Sequence, residues 1–534
     1  MSTTTQPDHV WNPRVLGSSS LEIQRRFVSV TLAFSRIADC DHDMNTTRTI
    51  TIPFCIGEQH SPDLADIAAA CGMSASEVVE RFVASDFAAA FVGFAPGFAY
   101  LDGLSPALRV ERLASPRTRV PAGSVAIAGD RAGIYPFALP GGWRILGRTP
   151  LAMFDPMRAQ PSLIRAGDAV RFVRIDDATF QRLVAREQAA MAQLSAPLRD
   201  PVLRIVHPGQ HSSVQDLGRP GLVEIGVPIG GALDTRSLIV TNRLLGNADG
   251  AAAIECALGG LTIEFMRDAA IAFGGADAAA TLTRTSGAMH EIPAWRAVSV
   301  RPGERLRLGV ARAGQRIMLA LGGGIDVAQV LGSRSTLALA SFGGLEGRAL
   351  RPGDELAAAE DGLARAPHAA ALPPGFISSL RFSLDRRVLR TTTEATADAA
   401  NSALASAFFA STFRVMPRSD RSGVRLDPGG ALVPADALNA APSRLLASRA
   451  AGPGTIQCPS ASEAIALLAD GPTTGGYAVV ASVAAVDLPA LGQVRPGEIV
   501  RFELVTAAEA EALLVEQHAR IDAALPPITP SMER

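Results

Sequence analysis

The chain has 534 residues, of which 48% are hydrophobic and 19% charged; this describes several globular domains of roughly 150 residues each and excludes a disordered chain. A net charge of −2 leaves no basic footprint for nucleic acid or an anionic membrane, and no apolar run reaches the roughly 18 residues of a membrane span. All 50 basic residues are arginine, which excludes a phosphate-loop lysine, a Schiff-base lysine and covalent biotin on this chain.

Taken in chain order, the opening MSTTTQPDHVWNPRV has neither a positive start nor an apolar core, so it is not read as a secretory signal. The spacing predicts a helix from Pro62 to Cys71 that stops at Gly72, then a capping box at Ser74 and Glu77 opening a second helix to about Ala84. Asp177 to about Leu194 reads as an amphipathic helix, followed by a linker at SAPLRDP (195–201). Asp234 caps a helix that ends before Gly246, Leu363–Gly375 reads as a joint, and Thr506 with Glu509 opens a last helix to about Ala524. Elsewhere short apolar runs are broken by Gly and Pro, the pattern of a β-barrel or β-sandwich. A turn element recurs as Arg165–Asp168, Arg301–Glu304, Arg351–Asp354 and Arg495–Glu498, each ahead of strand-like alternation.

The five cysteines (Cys40, Cys55, Cys71, Cys256, Cys458) are scattered, without C-x-x-C spacing or clustered histidines. Pro208 and Gly209 break any helix that would align His207 with His211. No metal is therefore expected, and free thiols point to a reducing cytoplasm. The glycines of Gly274–Leu282 lack dinucleotide-loop spacing.

The densest signal is Phe91–Pro150, where Gly and Pro interrupt apolar alternation while aromatics are retained. Arg117, Arg119, Arg131, Arg144 and Arg148 lie in or beside its loops. They are read either as an anion cradle, with loop amides, or as surface arginines. Tyr135 and Trp143 carry polar tips and are pocket candidates, whereas Phe94 and Phe98 are assigned to the core. Further on, Asp216 either orients Arg219, acts as a general base, or only fixes a loop. The same alternatives apply to Arg334 and to Arg421. Thr473 and Thr474 offer hydroxyls to an oxyanion or cap a turn, and Tyr477 stacks on substrate or closes that turn. No Ser-His-Asp or Cys-His arrangement is present in the pattern.

FVGFAPGFAYLDGL, with SPRTRVPAGSVAIAGDRAGIYPFALPGGWRILGRTP, resembles the B subunit of bacterial 5-oxoprolinase, the kinase-inhibitor-type or allophanate hydrolase subunit 1 family. That family is similar to part of the carboxyltransferase domain of urea carboxylase. Ser212–Asp234, Asn242–Gly260, Leu321–Thr336, Gly343–Asp354, Ser419–Leu426 and Thr473–Val483 resemble the C subunit, or allophanate hydrolase subunit 2. The motifs run in order from about residue 49 to about residue 505.

The resemblance implies a mainly β (α+β) fold of tandem cyclophilin-like β-barrels with a few peripheral helices. It divides the chain into a shortened segment (1–48), a B-type domain (49–196), two C-type barrels (201–365 and 376–505), and a C-terminal helix and tail (506–534). It implies ATP-dependent opening of the 5-oxoproline lactam with the separate A subunit of 5-oxoprolinase, ATP being held by or with that partner. In that reading Arg131, Arg144 and Arg148 hold an anion, Thr473 and Thr474 stabilise the oxyanion, and Asp216 or Asp470 is the base. The alternatives are a biotin-dependent carboxyltransferase on urea or a related small amide, with biotin on another chain, and a non-catalytic regulatory binding protein. Self-association is left open. The chain departs from the family at Arg144, where glutamine is usual, and at Pro472 and Val479, where Gln and Lys are usual.

Overall fold

Seven strands close a first barrel in the order Thr49–Cys55, Arg144–Arg148, Ser124–Ala128, Arg131–Ile134, Ala99–Asp102, Phe87–Val92 and Ala169–Ile175. The last strand pairs parallel with the first and so seals the ring. The computed structural model describes residues 48–191, 200–359, 372, 375–377, 388–393, 399–433 and 449–527. Segment 1–47, Cys40, the end of the helix after Met191, most of the linker at 195–201 and most of Leu363–Gly375 lie outside the described residues.

Alternation explains the barrel. Ile52 and Phe54 on the first strand and Val170 and Phe172 on the last point inward and are buried. Phe54, Phe82, Phe87 and Phe172 meet with ring centroids 4.8 to 5.7 Å apart. Each such ring contributes about 1.5–3 kcal/mol of burial. Two helices, Leu64–Cys71 and Ala75–Val83, cover one end. The first stops at Gly72 in the left-handed region, and the second begins with the expected Ser74–Glu77 capping box.

The C-terminal barrel repeats the topology position by position: Val388–Thr392, Ala478–Val483, Thr455–Ser460, Glu463–Leu467, Gly423–Asp427, Phe413–Val415 and Ile499–Leu504, the last again parallel to the first. Each barrel adds a two-stranded flap, Arg117–Val120 with Leu139–Gly141 in one and Arg449–Ala450 with Thr474–Gly475 in the other. Each is followed by a helix, Asp177–Met191 and Ala507–Ala524, the latter opening on the Thr506–Glu509 capping box.

The unit between them, read above as a barrel over 201–365, is a seven-stranded sheet facing a five-stranded sheet. Pro208 and Gly209 are the physical reason. They end the strand Leu203–Pro208, and the chain re-enters as His211–Gln215 in the other sheet. Ile205, Ile263 and Leu306 from one sheet pack against Ile254, Phe273 and Ile317 from the other. Asp234 caps the helix Thr235–Leu244, as expected, by accepting from the Ser237 N–H.

All four turn elements form. Gly167, Gly303, Gly353 and Gly497 have φ of 88°, 80°, 90° and 90°. The acid of each turn accepts from the N–H of its first arginine at 2.8, 2.9, 2.7 and 3.1 Å. The acidic residue is thus part of the turn, closing it from the side chain. Among the described residues no helix is long and apolar enough to cross a membrane.

Candidate functional site

The site grows from glycines that let three units touch. Val92 forms a bridge to Ile225, and the Gly97 N–H donates to Ile225 O at 3.1 Å. Gly226 lies so near that a Cβ there would be 2.3 Å from Ala95 O. A Cβ on Gly93 would sit 2.3 Å from Thr474 Cγ2. The first barrel and the middle unit therefore meet backbone to backbone, and the Thr474 side chain of the C-terminal flap packs directly on Gly93, an approach that glycine permits.

Behind this contact lies a buried polar layer. Gly230 N–H donates to Ala469 O at 2.9 Å, and a Cβ on Gly230 would meet Arg219 Nη1 at 3.1 Å, Ser335 Oγ at 3.4 Å and Asp470 Oδ1 at 3.9 Å. Arg421 binds Asp470 through Nε (2.8 Å) and Nη2 (3.1 Å), Glu255 through Nη1 (2.5 Å), and Gly231 O through Nη2 (2.6 Å). Arg316 stands 3.9 Å from Glu255, which also accepts from Leu233 N–H. Burial alone would discharge these groups. Beside Asp470 and Glu255, however, Arg421 is held above its ordinary value, and beside Arg421 and Arg316, Glu255 is held below its own.

Asp216 accepts from Gly218 N–H (2.8 Å) and Ser333 Oγ (2.7 Å) on one oxygen, and from Arg334 N–H (2.6 Å) on the other. Asp470 has both oxygens on Arg421. Each carboxylate is therefore occupied in fixing geometry, which is against either being a free general base.

Arg219 is 2% exposed, donates through Nη2 to Ser335 O at 2.5 Å, and lies 5.0 Å from the ring centroid of Phe342. Phe342 in turn stacks on Phe154, at 5.8 Å, from the B-type half. Among the described residues, Nε and Nη1 of Arg219 and the hydroxyls of Thr473 and Thr474 are buried donors without a protein acceptor. Such groups are costly unless a ligand uses them.

Of the expected residues, Asp216, Arg219, Arg334, Arg421, Asp470, Thr473 and Thr474 come together at this junction. The five arginines of the first barrel do not. Arg117 pairs with Asp63 (2.6 Å), Arg131 with Asp102 (2.7 Å), Arg144 with Glu111 O (3.0 Å) and Arg148 with Ala122 O (2.7 Å), while Arg119 is exposed. They make no common cradle, since four of them are tied to four separate neighbours. Tyr135 and Trp143 are buried in an aromatic core with Phe98, and burial pushes the Tyr135 phenol up to about 12. Tyr477 is exposed at the flap end. Sequence reasoning missed Glu255, Arg316 and Gly93. The signal for Glu255 was a lone charge in an otherwise apolar strand, Ala253–Ala257, and for Arg316 a charge leading into the apolar run Ile317–Leu321.

Two family models match the chain: the carboxyltransferase domain, subdomain C and D, over residues 22–164, and the carboxyltransferase domain, subdomain A and B, over residues 225–504. The B subunit of 5-oxoprolinase from Bacillus subtilis is 43% identical over 160 residues, 30% of this chain and 65% of that protein. The C subunit of 5-oxoprolinase from Haemophilus influenzae is 33% identical over 311 residues, 58% of this chain and 94% of that protein. Urea amidolyase of Lachancea kluyveri is 33% identical over 344 residues, 60% of this chain and 18% of that protein. Among solved structures, the crystal structure of TTHA0988 superposes with a TM-score of 0.68 at 32% identity, covering 85% of this chain and 86% of that one.

Proposed function

The chain belongs to the carboxyltransferase-domain family, and from that membership we propose that it is the joined B- and C-type component of an ATP-dependent 5-oxoprolinase. In this reading it acts with a separate A subunit to open the lactam of 5-oxoproline to glutamate. The observation that carries the reading is the junction itself. Donors without partners, Arg219, Thr473 and Thr474, stand where the B-type half meets the C-type half, through Gly93–Thr474 and Phe154–Phe342. Two subunits joined in one chain hold such a shared site at high effective concentration.

The substrate carries a carboxylate and develops negative charge on its lactam oxygen when the ring opens. Arg219 supplies a permanent cation for the first, and the two threonine hydroxyls supply donors for the second. Asp216 and Asp470 are positioning residues here: Asp216 fixes the Ser333–Ser335 loop under Arg219, and Asp470 fixes Arg421. ATP supplies the activation of the lactam carbonyl. With no lysine and no phosphate loop on this chain, its triphosphate is assigned to the A subunit or to the contact with it.

The test is glutamate formation from 5-oxoproline and ATP by the purified chain, alone and mixed with the A subunit. Activity confined to the mixture is expected. No activity beside a working B and C pair from another source would overturn the reading. The likeness to urea amidolyase favours a second one, carboxyl transfer to urea or another small amide from biotin on a different chain. Its signature is consumption of urea that depends on carboxybiotin and not on the A subunit.

A further inference from the structure

We propose that the first barrel holds a zinc-class divalent cation between Cys55, His60 and Asp177, a site separate from the junction and independent of the activity proposed for it. Three pieces of chain deliver one ligand atom each. Cys55 ends the strand Thr49–Cys55, His60 lies in the turn that follows, and Asp177 opens the helix Asp177–Met191. The thiol, one imidazole nitrogen and a carboxylate oxygen lie within 4.8 Å of one another, and His60 Nε2 is 3.0 Å from Asp177 Oδ1.

Thiolate, imidazole and carboxylate are the donors that Zn²⁺ takes, at about 2.0–2.3 Å each. Tetrahedral coordination would bring neighbouring ligand atoms to a little over 3 Å, so small rotations of Cys55 and His60 close the shell. The surroundings support a cation more than a hydrogen bond alone. His60 and Cys55 are 7% and 1% exposed, yet the thiol has only a 3.8 Å contact to Ile56 O, and among the described residues His60 Nδ1 is buried without a partner. Phe180 fixes the ring from one side, 4.6 Å between centroids. Asp177 is 66% exposed, which leaves a fourth position for water. Asp176 adds negative charge nearby, and Arg174 opposes it. Binding releases the thiol proton to solvent and leaves His60 neutral. The sequence conceals the set, because Asp177 lies 117 residues beyond His60 and no motif spacing links them.

The experiment adds Co²⁺ to the metal-stripped full chain in thiol-free buffer. The expected result is a thiolate-to-cobalt charge-transfer band that saturates at a single equivalent and is bleached by Zn²⁺. Cys55→Ser removes the band. Asp177→Asn, an exposed change that leaves the fold intact, weakens the apparent affinity by about tenfold or more. No band in the unmodified chain, or a band that Asp177→Asn leaves unchanged, overturns the proposal and assigns any bound metal to adventitious thiols such as Cys71.

Discussion

The two closed barrels share strand order, flap and trailing helix, yet they use their loops in opposite ways. In the first, the flap strand Leu139–Gly141 runs into Trp143, which is buried against Phe98, and the cations pair within their own unit: Arg131 with the half-exposed Asp102, and Arg117 with the buried Asp63. In the second, the flap strand Thr474–Gly475 runs out to the exposed Tyr477, and the cation Arg421, 11% exposed, sits on the buried Glu255, a residue of another unit. A repeated scaffold places the loops; whether they become core or site is decided by a handful of residues on them. The first barrel's loops fill its own interior and lend a backbone edge, while the second barrel's loops carry Arg421 and the unpartnered Thr473 and Thr474 hydroxyls to the junction.

The sharpest way to break this contrast is to remove one arginine from each barrel. Arg421→Ala leaves Glu255 and Asp470 buried without their cation and is expected to cost about 3–5 kcal/mol. Arg131→Ala breaks a solvated pair and is expected to cost below about 1 kcal/mol. Denaturant unfolding of both variants measures the difference, and equal losses would erase the distinction drawn between the barrels.

The next effect separates chemistry from stability. Thr473→Val and Thr474→Val remove hydroxyls that bond to nothing among the described residues, so the unfolding midpoint should hold. Turnover in the mixture with the A subunit should nonetheless fall about 10²–10³-fold for each, the range for losing an oxyanion donor. A fall in stability with unchanged turnover would return both threonines to a turn-capping role.

A smaller contrast tests packing between the halves. Gly93→Ala places a methyl 2.3 Å from Thr474 Cγ2 and is expected to cost about 1–3 kcal/mol and to lower turnover with it. Gly142→Ala, where the nearest atom is Pro116 Cγ at 3.6 Å, should stay within about 0.5 kcal/mol. Matched unfolding curves for the two alanine variants check this.

What was legible in the sequence follows from the range of each signal. Ser74 with Glu77 and Thr506 with Glu509 announce helices because both partners lie within one turn of chain, and the four Gly-acid turns announce themselves for the same reason. The motif families also located the residues of the junction, including Asp216, Arg219, Arg421 and Thr474. Their roles were not legible. Arg421 meets Glu255 across 166 residues, and nothing local tells a buried ion pair from a rim pair. The arginine cradle failed on the same ground: closeness in sequence put Arg117 to Arg148 in one group of loops, but Arg117, Arg131, Arg144 and Arg148 each meet a different acid or carbonyl brought in by the fold.

The mildest expected difference is in pH. The buried titratable group of the first barrel's aromatic core is Tyr135, whose phenol stays neutral until about 12. Near the junction stands the partly buried His211, whose pKa burial lowers from 6.5, with Arg421 and Arg316 adding repulsion. A folded-state value below the unfolded one means that the unfolded chain takes up the proton first as pH falls. The stability that neutral His211 allows is therefore fully present above 6.5 and is lost as pH drops from there through the folded value. Thermal midpoints recorded on either side of 6.5 should fall on the acid side in the native chain. In His211→Gln, where nothing at that position titrates, this part of the fall should vanish. Tyr135 gives no such step, since its phenol has no proton to gain. If His211→Gln kept the whole acid-side loss, the pH sensitivity would lie outside the junction, and the buried charges there would be better insulated than their exposure to one another suggests.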